Sequence, residues 1–398
     1  MRVFPILTYT PAPGMAAKVA CTTQAPDLPA IASQPESYLR VVKPQLLEEG
    51  LRPGTAEFME LSARNFSELI QQGFLVTRDA AVWLYRQELP DGTCFEGWVL
   101  GISALDYEEG KIKRHENTIR DKEARLSRHI GLLHSVAEPV LLAGGLPETL
   151  VQLAGELKSS KEEMDFEDAI GRRHQLWAMT DLAGIDFIRR EFSRIDALYI
   201  ADGHHRSAAT CLHIRNAALN PETHGIMALV MDKKMLQIKS FHRLIQADAP
   251  AWKMEEVCRI KNWRMERLGL LPDKPAKGEI LALSAEGVFR LMPDQSRQPD
   301  SEAGKLDVAR LESDVLPALF GIENSRVDSR ISFLRGDTGS EILQEMLRTG
   351  KAGWIFLVAA NEMEDIEKVA DAGEVMPPKS TWVEPKLMTG MLVMRFKD

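Results

Sequence analysis

Apolar and polar positions along the chain alternate between two spacings, and the changes of spacing mark its elements. "AVWLYRQEL", "PDGT" and "CFEGWVLGISAL" run consecutively from Ala81 to Leu105. Aromatic and branched residues in both arms around a Pro-Asp-Gly turn predict a β-hairpin. The spacing then becomes helical: Leu126, Ile130 and Leu133 recur at three- and four-residue intervals. Thr118 and Asp121, three apart, predict a capping box at the start of that helix, and Pro139 is expected to stop it. "ALYIAD" reads as a strand ending at Asp202, and "RSAATCLHIRNAAL" after it as a helix. "IMALVMD" and "KMLQIKSFHRLI" read as strands flanking Lys233 and Lys234.

Around "QADAPAW", Gln246 to Trp252, the residues turn small and polar, which places a domain boundary there. Residues 1–248 and 249–398 are the two expected domains. The second reads as a hairpin "EILALSAEGVFRLM", a polar loop "PDQSRQPDSEAG", helices near Ser340 to Arg348 and Asp365 to Ala370, and a buried strand "GWIFLVAA". No internal repeat or low-complexity tract is visible. Strands and helices together predict an α+β protein of two lobes.

Composition narrows the function classes. The 398 residues are 44% hydrophobic and 27% charged, enough for large cores and for more than one domain. Lys plus Arg number 49 against 58 Asp plus Glu, a net charge of -9. That balance argues against coating nucleic acid or an anionic membrane by bulk charge. Cys21, Cys94, Cys211 and Cys258 are far apart and form no C-x-x-C pair, so neither a zinc knuckle nor a disulfide framework is signalled. No run approaches the roughly 20 apolar residues of a membrane span. The expectation is a soluble, leaderless, cytoplasmic protein.

The densest chemistry lies in "DALYIADGHHRSAAT", Asp196 to Thr210. Gly203 falls at the strand-to-helix turn, where a residue without Cβ relieves strain. The helix that follows presents unpaired N–H groups and the positive end of its dipole, and Arg206 adds a planar fork suited to phosphate or carboxylate. Asp202 would repel an anion there unless it acts as a base, binds a metal, or holds His204 or His205 in one tautomer. The blander alternative makes Asp202 an N-cap and leaves the histidines solvated. Adjacent histidines project in different directions, so they do not chelate zinc as an i, i+4 pair does.

Two further segments carry candidates. "RHENT" places His115 and Glu116 before a helix on which Arg125 and His129, four apart, share a face with Asp121. They are either surface ion pairs or a general base and charge-binding set. "GEVMPPKSTWVEPKLMTG" nearly spells a phosphate loop, yet Pro378 stands at the second glycine and removes an N–H that such a loop needs. A Pro-stiffened loop presenting Lys379, Ser380 and Lys386 is one reading, and rigid packing under Trp382 the other. His174 and the pair His242-Arg243 read equally as core or edge residues.

"YIADGHHRSAA", "DYEEGKIKRHENTIRDKEARLSRH" and "VMPPKSTWVEPKLMTG" together resemble the bacterial and archaeal family catalogued as domain of unknown function 1015, through nearly the whole chain. The D-G-H-H-R box is also similar to that of the ParB/sulfiredoxin superfamily, whose members bind nucleotide phosphates with it and include free-serine kinases and sulfiredoxins. The resemblance implies a ParB/sulfiredoxin-like N-terminal portion in which Gly203, His204, His205 and Arg206 cradle phosphates and Asp202 is the catalytic acid or base. It implies further that His115 and Glu116 take part as base or magnesium ligand, and that Arg125, His129, Lys379, Ser380 and Lys386 serve nucleotide binding. Two departures stand out. After Ala17-Lys18-Val19-Ala20 the chain reads "CTTQAPDLPA", without the tyrosine and aspartate of relatives, so that Asp27 would have to substitute. Ser207 stands where an aromatic residue is common.

These readings converge on a nucleotide-dependent phosphotransferase using ATP or ADP and Mg²⁺ on a small hydroxyl compound such as free serine. The alternatives are a nucleotide sensor without turnover, or a phosphohydrolase running the same site with water. The acidic balance and the absence of a helix-turn-helix pattern speak against DNA as a partner. The sequence leaves homo-oligomerisation open.

Overall fold

The computed structural model describes residues 1–22, 24–294, 296 and 299–396. The chain forms two compact units: residues 1–113, 117–236 and 385–398, and residues 114–116 with 237–384. The chain therefore leaves the first unit at 236/237 rather than near Gln246, and its last fourteen residues return to the first unit. Composition marks where a chain is polar, while unit boundaries follow contacts, so the two need not coincide.

The first unit is built on β1 (Ile6–Pro11), β2 (Leu75–Glu88), β3 (Cys94–Ser103), β4 (Val140–Gly144), β5 (Arg173–Met179), β6 (Leu198–Asp202) and β7 (Gly225–Asp232). The main path across its sheet runs from Ile112–Lys113 through β6, β4, β7, β3, β2 and β1 to Val393–Arg395 and Ser135–Val136. The hairpin forms as β2 and β3, paired antiparallel with Trp83 opposite Val99. β7 lies parallel to β4 and antiparallel to β3, and nearly every residue of β4 and β7 is buried. That burial on both faces explains why "IMALVMD" reads as a continuous apolar run rather than an alternation. The helices used below are α1 (Ala56–Gln71), α2 (Arg120–Leu133) and α3 (His204–Asn216).

α2 departs from its predicted limits. Its N-cap is Ile119 rather than Thr118, no side chain of its own caps it, and it ends at Leu133, where His134 turns left-handed at φ 46°. Pro139 comes too late to stop it.

The second unit contains β8 (Phe241–Ile245), β9 (Trp263–Leu268), β10 (Ile280–Ser284), β11 (Gly287–Pro293), β12 (Ile331–Arg335) and β13 (Trp354–Val358), in the antiparallel order β9-β11-β10-β13-β8-β12. Alternate residues of these strands feed two cores. Ile245, Ile280, Ala282, Trp354 and Phe356 pack on one face with α4 (Ala251–Ile260); Leu244, Leu281, Leu283, Ile355 and Leu357 pack on the other with Leu343 of α5 (Ser340–Arg348). α6 spans Met363–Asp371. "KMLQIKSFHRLI" splits into Gln237–Lys239 and β8. Within the predicted polar loop, Gln295, Arg297 and Gln298 lie outside the described residues. No helix among the described residues is long and apolar enough to cross a membrane.

A buried polar node sits in the first unit. Arg172 Nε donates to Asp168 Oδ2 at 2.7 Å, His174 Nε2 lies 3.2 Å from the same oxygen, and His174 Nδ1 lies 2.8 Å from the Tyr85 hydroxyl. His174 is thus a core histidine with both ring nitrogens engaged. Burial pushes the Asp168 carboxyl up, but His174, the Arg172 backbone and the Arg172 guanidinium outweigh it and hold the group well below the usual carboxylate range. Burial likewise holds His174 below its ordinary value. Both folded-state values are depressed, so their stabilisation is present at neutral pH and is lost as pH falls, for His174 from about 6.5 and for Asp168 from about 3.9 downward. Acid denaturation followed by circular dichroism should therefore be shallower for Asp168→Asn than for wild type; equal slopes would show that the node does not titrate with unfolding.

Candidate functional site

β6 delivers the D-G-H-H-R turn. Its ladder with β4 shifts register between Ile200 and Asp202, so the strand leaves regular pairing as it reaches the acid. Gly203 follows at φ +107°, and it is the N-cap of α3. A Cβ there would meet Arg206 Nη2 at 3.0 Å and Nε at 3.1 Å. Glycine is therefore required twice, for the left-handed backbone and for the space into which the guanidinium folds back. The first α3 bond found is Ser207 N–H to the Gly203 carbonyl at 2.9 Å, and no side chain caps the helix. The capping alternative for Asp202 does not hold.

Asp202 is instead an ion-pair centre. Its Oδ2 is 3.6 Å from Arg206 Nη2 and 3.6 Å from Lys386 Nζ. Burial pushes its carboxyl up, but the two cations outweigh burial and hold it below the ordinary value, so it is ionised at neutral pH. Arg206 is held by more than Asp202. Its Nη1 donates to Glu138 Oε1 in a short contact, its Nη2 donates to the Pro139 carbonyl at 3.2 Å, and its Nε is buried without a partner among the described residues. Glu138 Oε2 accepts the Thr389 hydroxyl at 3.0 Å. Sequence reading passed over Glu138 and Thr389. The one available signal was the acid placed just before Pro139, at the mouth of a buried strand.

α2 lies beside α3, and the box itself supplies the cap that Thr118 does not: Ile119 N–H donates to His205 Nε2 at 3.2 Å. A ring nitrogen that accepts carries no proton, so this contact assigns the Nδ1–H tautomer to His205. His204 is 5% exposed in the first turn of α3. The remaining α2 candidates face α1 and the residues before it. Arg125 fills the space beside Gly54 with its methylenes, where a Cβ on that glycine would lie 2.5 Å from Cδ. His129 Nε2 donates to Ser62 Oγ at 2.6 Å, and Ser62 donates to the Val41 carbonyl at 2.6 Å. Burial takes His129 down to about 4, which makes it a neutral hydrogen-bonding residue where a phosphate ligand was expected. Ser207, 0% exposed, bonds its hydroxyl back to the Gly203 carbonyl at 3.2 Å and so borders no base-binding surface. Asp27 caps the short helix Leu28–Ser33 through Ala30 N–H at 3.0 Å, an N-cap in place of a ligand.

His115, Glu116, Lys379 and Ser380 belong to the second unit. The His115 carbonyl accepts Met376 N–H at 2.9 Å. Arg243, fully buried, donates to the Pro378 carbonyl at 3.0 Å and the Lys379 carbonyl at 3.1 Å, and pairs with Glu312 at 2.7 Å. Lys379 turns left-handed at φ 54°, with its ammonium 5.2 Å above the Phe241 ring. Ser380 is 3% exposed, and its hydroxyl donates to the Pro377 carbonyl at 2.7 Å. The Pro loop is thus a packed, buried-arginine structure as much as a presenter of side chains, and Arg243 is its organising residue.

Among the described residues no cluster of three or more His, Cys, Asp or Glu side chains could hold a metal ion. Those residues therefore build no dedicated metal cage. Asp202 suits Mg²⁺ only as Mg²⁺ arrives with phosphates, through one or two carboxylates and retained waters. The orphaned Arg206 Nε and the uncapped α3 start suit an oxyanion.

Fold and site define an α+β protein whose strand-end acid is followed by a helix start that no side chain caps. Residues 11–309 match the family described as Protein of unknown function (DUF1015), and the chain belongs to it. No curated protein matches. Among solved structures the chain is similar to a free serine kinase in complex with AMP, at 13% identity and TM-score 0.38, over 73% of this chain and 90% of that one. It is similar also to a conserved hypothetical protein from Pyrococcus furiosus, at 13% identity and TM-score 0.37 over 73% and 94%, and to SbnI with C-terminal truncation from Staphylococcus aureus, at 12% identity and TM-score 0.38 over 72% and 82%.

Proposed function

We propose that the protein is a nucleotide-dependent phosphotransferase that takes ATP or ADP at the Asp202–Arg206 turn and phosphorylates a small hydroxyl compound, free serine being the first to test. The observation that carries this reading is the ionised Asp202 held between Arg206 and Lys386 beside an uncapped helix start. A sensor has no need of a carboxylate next to bound phosphate; a transferase needs a proton acceptor there. The α3 N–H groups, Arg206 and Lys386 neutralise phosphate charge. Asp202 accepts the proton of the acceptor hydroxyl as the new O–P bond forms and the bridging O–P bond of the nucleotide breaks, and then returns that proton to solvent. Its depressed basicity suffices, because a loose in-line transition state asks little of the base. Asp202 is the carboxylate that would help to hold Mg²⁺ brought in with the nucleotide, and the ion would supply further positive charge.

Melting the protein with each common nucleotide plus Mg²⁺ tests the binding half of this reading. A ligand at a hundredfold excess over its dissociation constant adds about 2.7 kcal/mol of stability. An adenine nucleotide should raise the melting temperature; no shift with any nucleotide would remove the transferase and sensor readings together.

A further inference from the structure

The donors that would hold a phosphate are occupied by the chain's own carboxylate. Glu138 takes Arg206 Nη1 with one oxygen and the Thr389 hydroxyl with the other, as two oxygens of a phosphate would. The neighbouring Pro139 carbonyl takes Nη2, and Nε is left buried and without a partner among the described residues. We propose that Glu138 is an internal competitor for the nucleotide's phosphate, a residue that sets affinity at this site by holding Arg206 and Thr389 until an anion displaces it.

Three features point this way. Glu138 reaches Arg206 from the bend two residues before β4, outside the β6–α3 turn, so the pair can part without disturbing Gly203 or the helix start. Its side chain is 27% exposed and that of Arg206 25%, so water can receive the released carboxylate and an anion can approach the guanidinium. Third, the charges at the turn balance: Asp202 and Glu138 against Arg206 and Lys386. A doubly charged phosphate joining that neutral set gains no net charge attraction unless one carboxylate withdraws. Asp202 is held by two cations; Glu138 has one cation and one hydroxyl, so it is the carboxylate that yields.

The inference rests on the turn being a phosphate site, and the experiment separates the two. ADP and inorganic pyrophosphate are titrated calorimetrically, with and without Mg²⁺, into wild type, Glu138→Gln and a charge control, Glu60→Gln, on the exposed face of α1. Glutamine keeps the shape of glutamate and loses its charge. Competition predicts that Glu138→Gln binds both probes about tenfold more tightly than wild type, while Glu60→Gln matches wild type. Damage to the fold weakens binding and cannot tighten it, so a gain is not a structural artefact; melting curves of all three proteins check the fold independently. Binding by wild type with equal or weaker binding by Glu138→Gln overturns the competitor role and leaves the nucleotide reading intact. Weakening seen only with Mg²⁺ overturns it in favour of a metal-binding carboxylate. Binding of neither probe by any of the three proteins overturns both.

Discussion

Asp202→Asn is expected to bind ADP at least as tightly as wild type while its turnover falls by about 10²- to 10⁴-fold, the range typical of losing a general base. The substitution removes a negative charge from beside the phosphate donors at nearly constant shape. It also releases Arg206 Nη2 and Lys386 Nζ from a carboxylate 3.6 Å from each, so both can turn fully to the ligand. Binding and chemistry should therefore move in opposite directions. Stability should fall only modestly, because both ion pairs are long and partly exposed. If affinity and turnover drop together, Asp202 is holding the turn in shape and the proton acceptor lies elsewhere.

The second large effect belongs to the second unit. Arg243 is 0% exposed and its guanidinium donates to three carbonyls, those of Phe241, Pro378 and Lys379, as well as to Glu312. Arg243→Met keeps much of the volume but leaves a partly buried carboxylate and those carbonyls without their donor. Breaking a buried pair from one side costs about 3–5 kcal/mol, and the melting of that unit should fall by on the order of 10 °C. Glu312→Gln, which removes the charge and keeps an acceptor, should cost less. A drop of under about 1 kcal/mol for Arg243→Met would mean that the Pro377–Ser380 loop holds its own shape.

Sequence reading found most elements and the turn, for a physical reason. Strands such as β7 and helices such as α5 announce themselves through local spacing, and Gly203 between "YIAD" and a helix-forming run can only be a strand-to-helix turn. What it missed is long-range. The cap of α2 comes from His205, 86 positions away, so no local capping box could reveal it. The partner of Arg206 is Glu138, 68 positions distant, and Thr389 joins from 251 positions beyond Glu138. His129 fits a charge-binding helix face by spacing alone, but Ser62 of α1 lies against its ring nitrogen. The unit boundary eluded composition because the last fourteen residues return to the first unit and bring Lys386 to Asp202. In each case the local pattern named a residue capable of the chemistry, and a partner distant in sequence decided which chemistry it performs.

The most direct test of the account is phosphorus NMR of wild-type protein incubated with ATP or ADP, Mg²⁺ and a pool of free serine, homoserine, threonine and small sugars, run beside Asp202→Asn. The account predicts a new phosphomonoester resonance that grows with the loss of nucleotide in the wild-type sample and is reduced at least a hundredfold in the variant. Tight nucleotide binding without any phosphomonoester, or a resonance that grows equally in both samples, would contradict it.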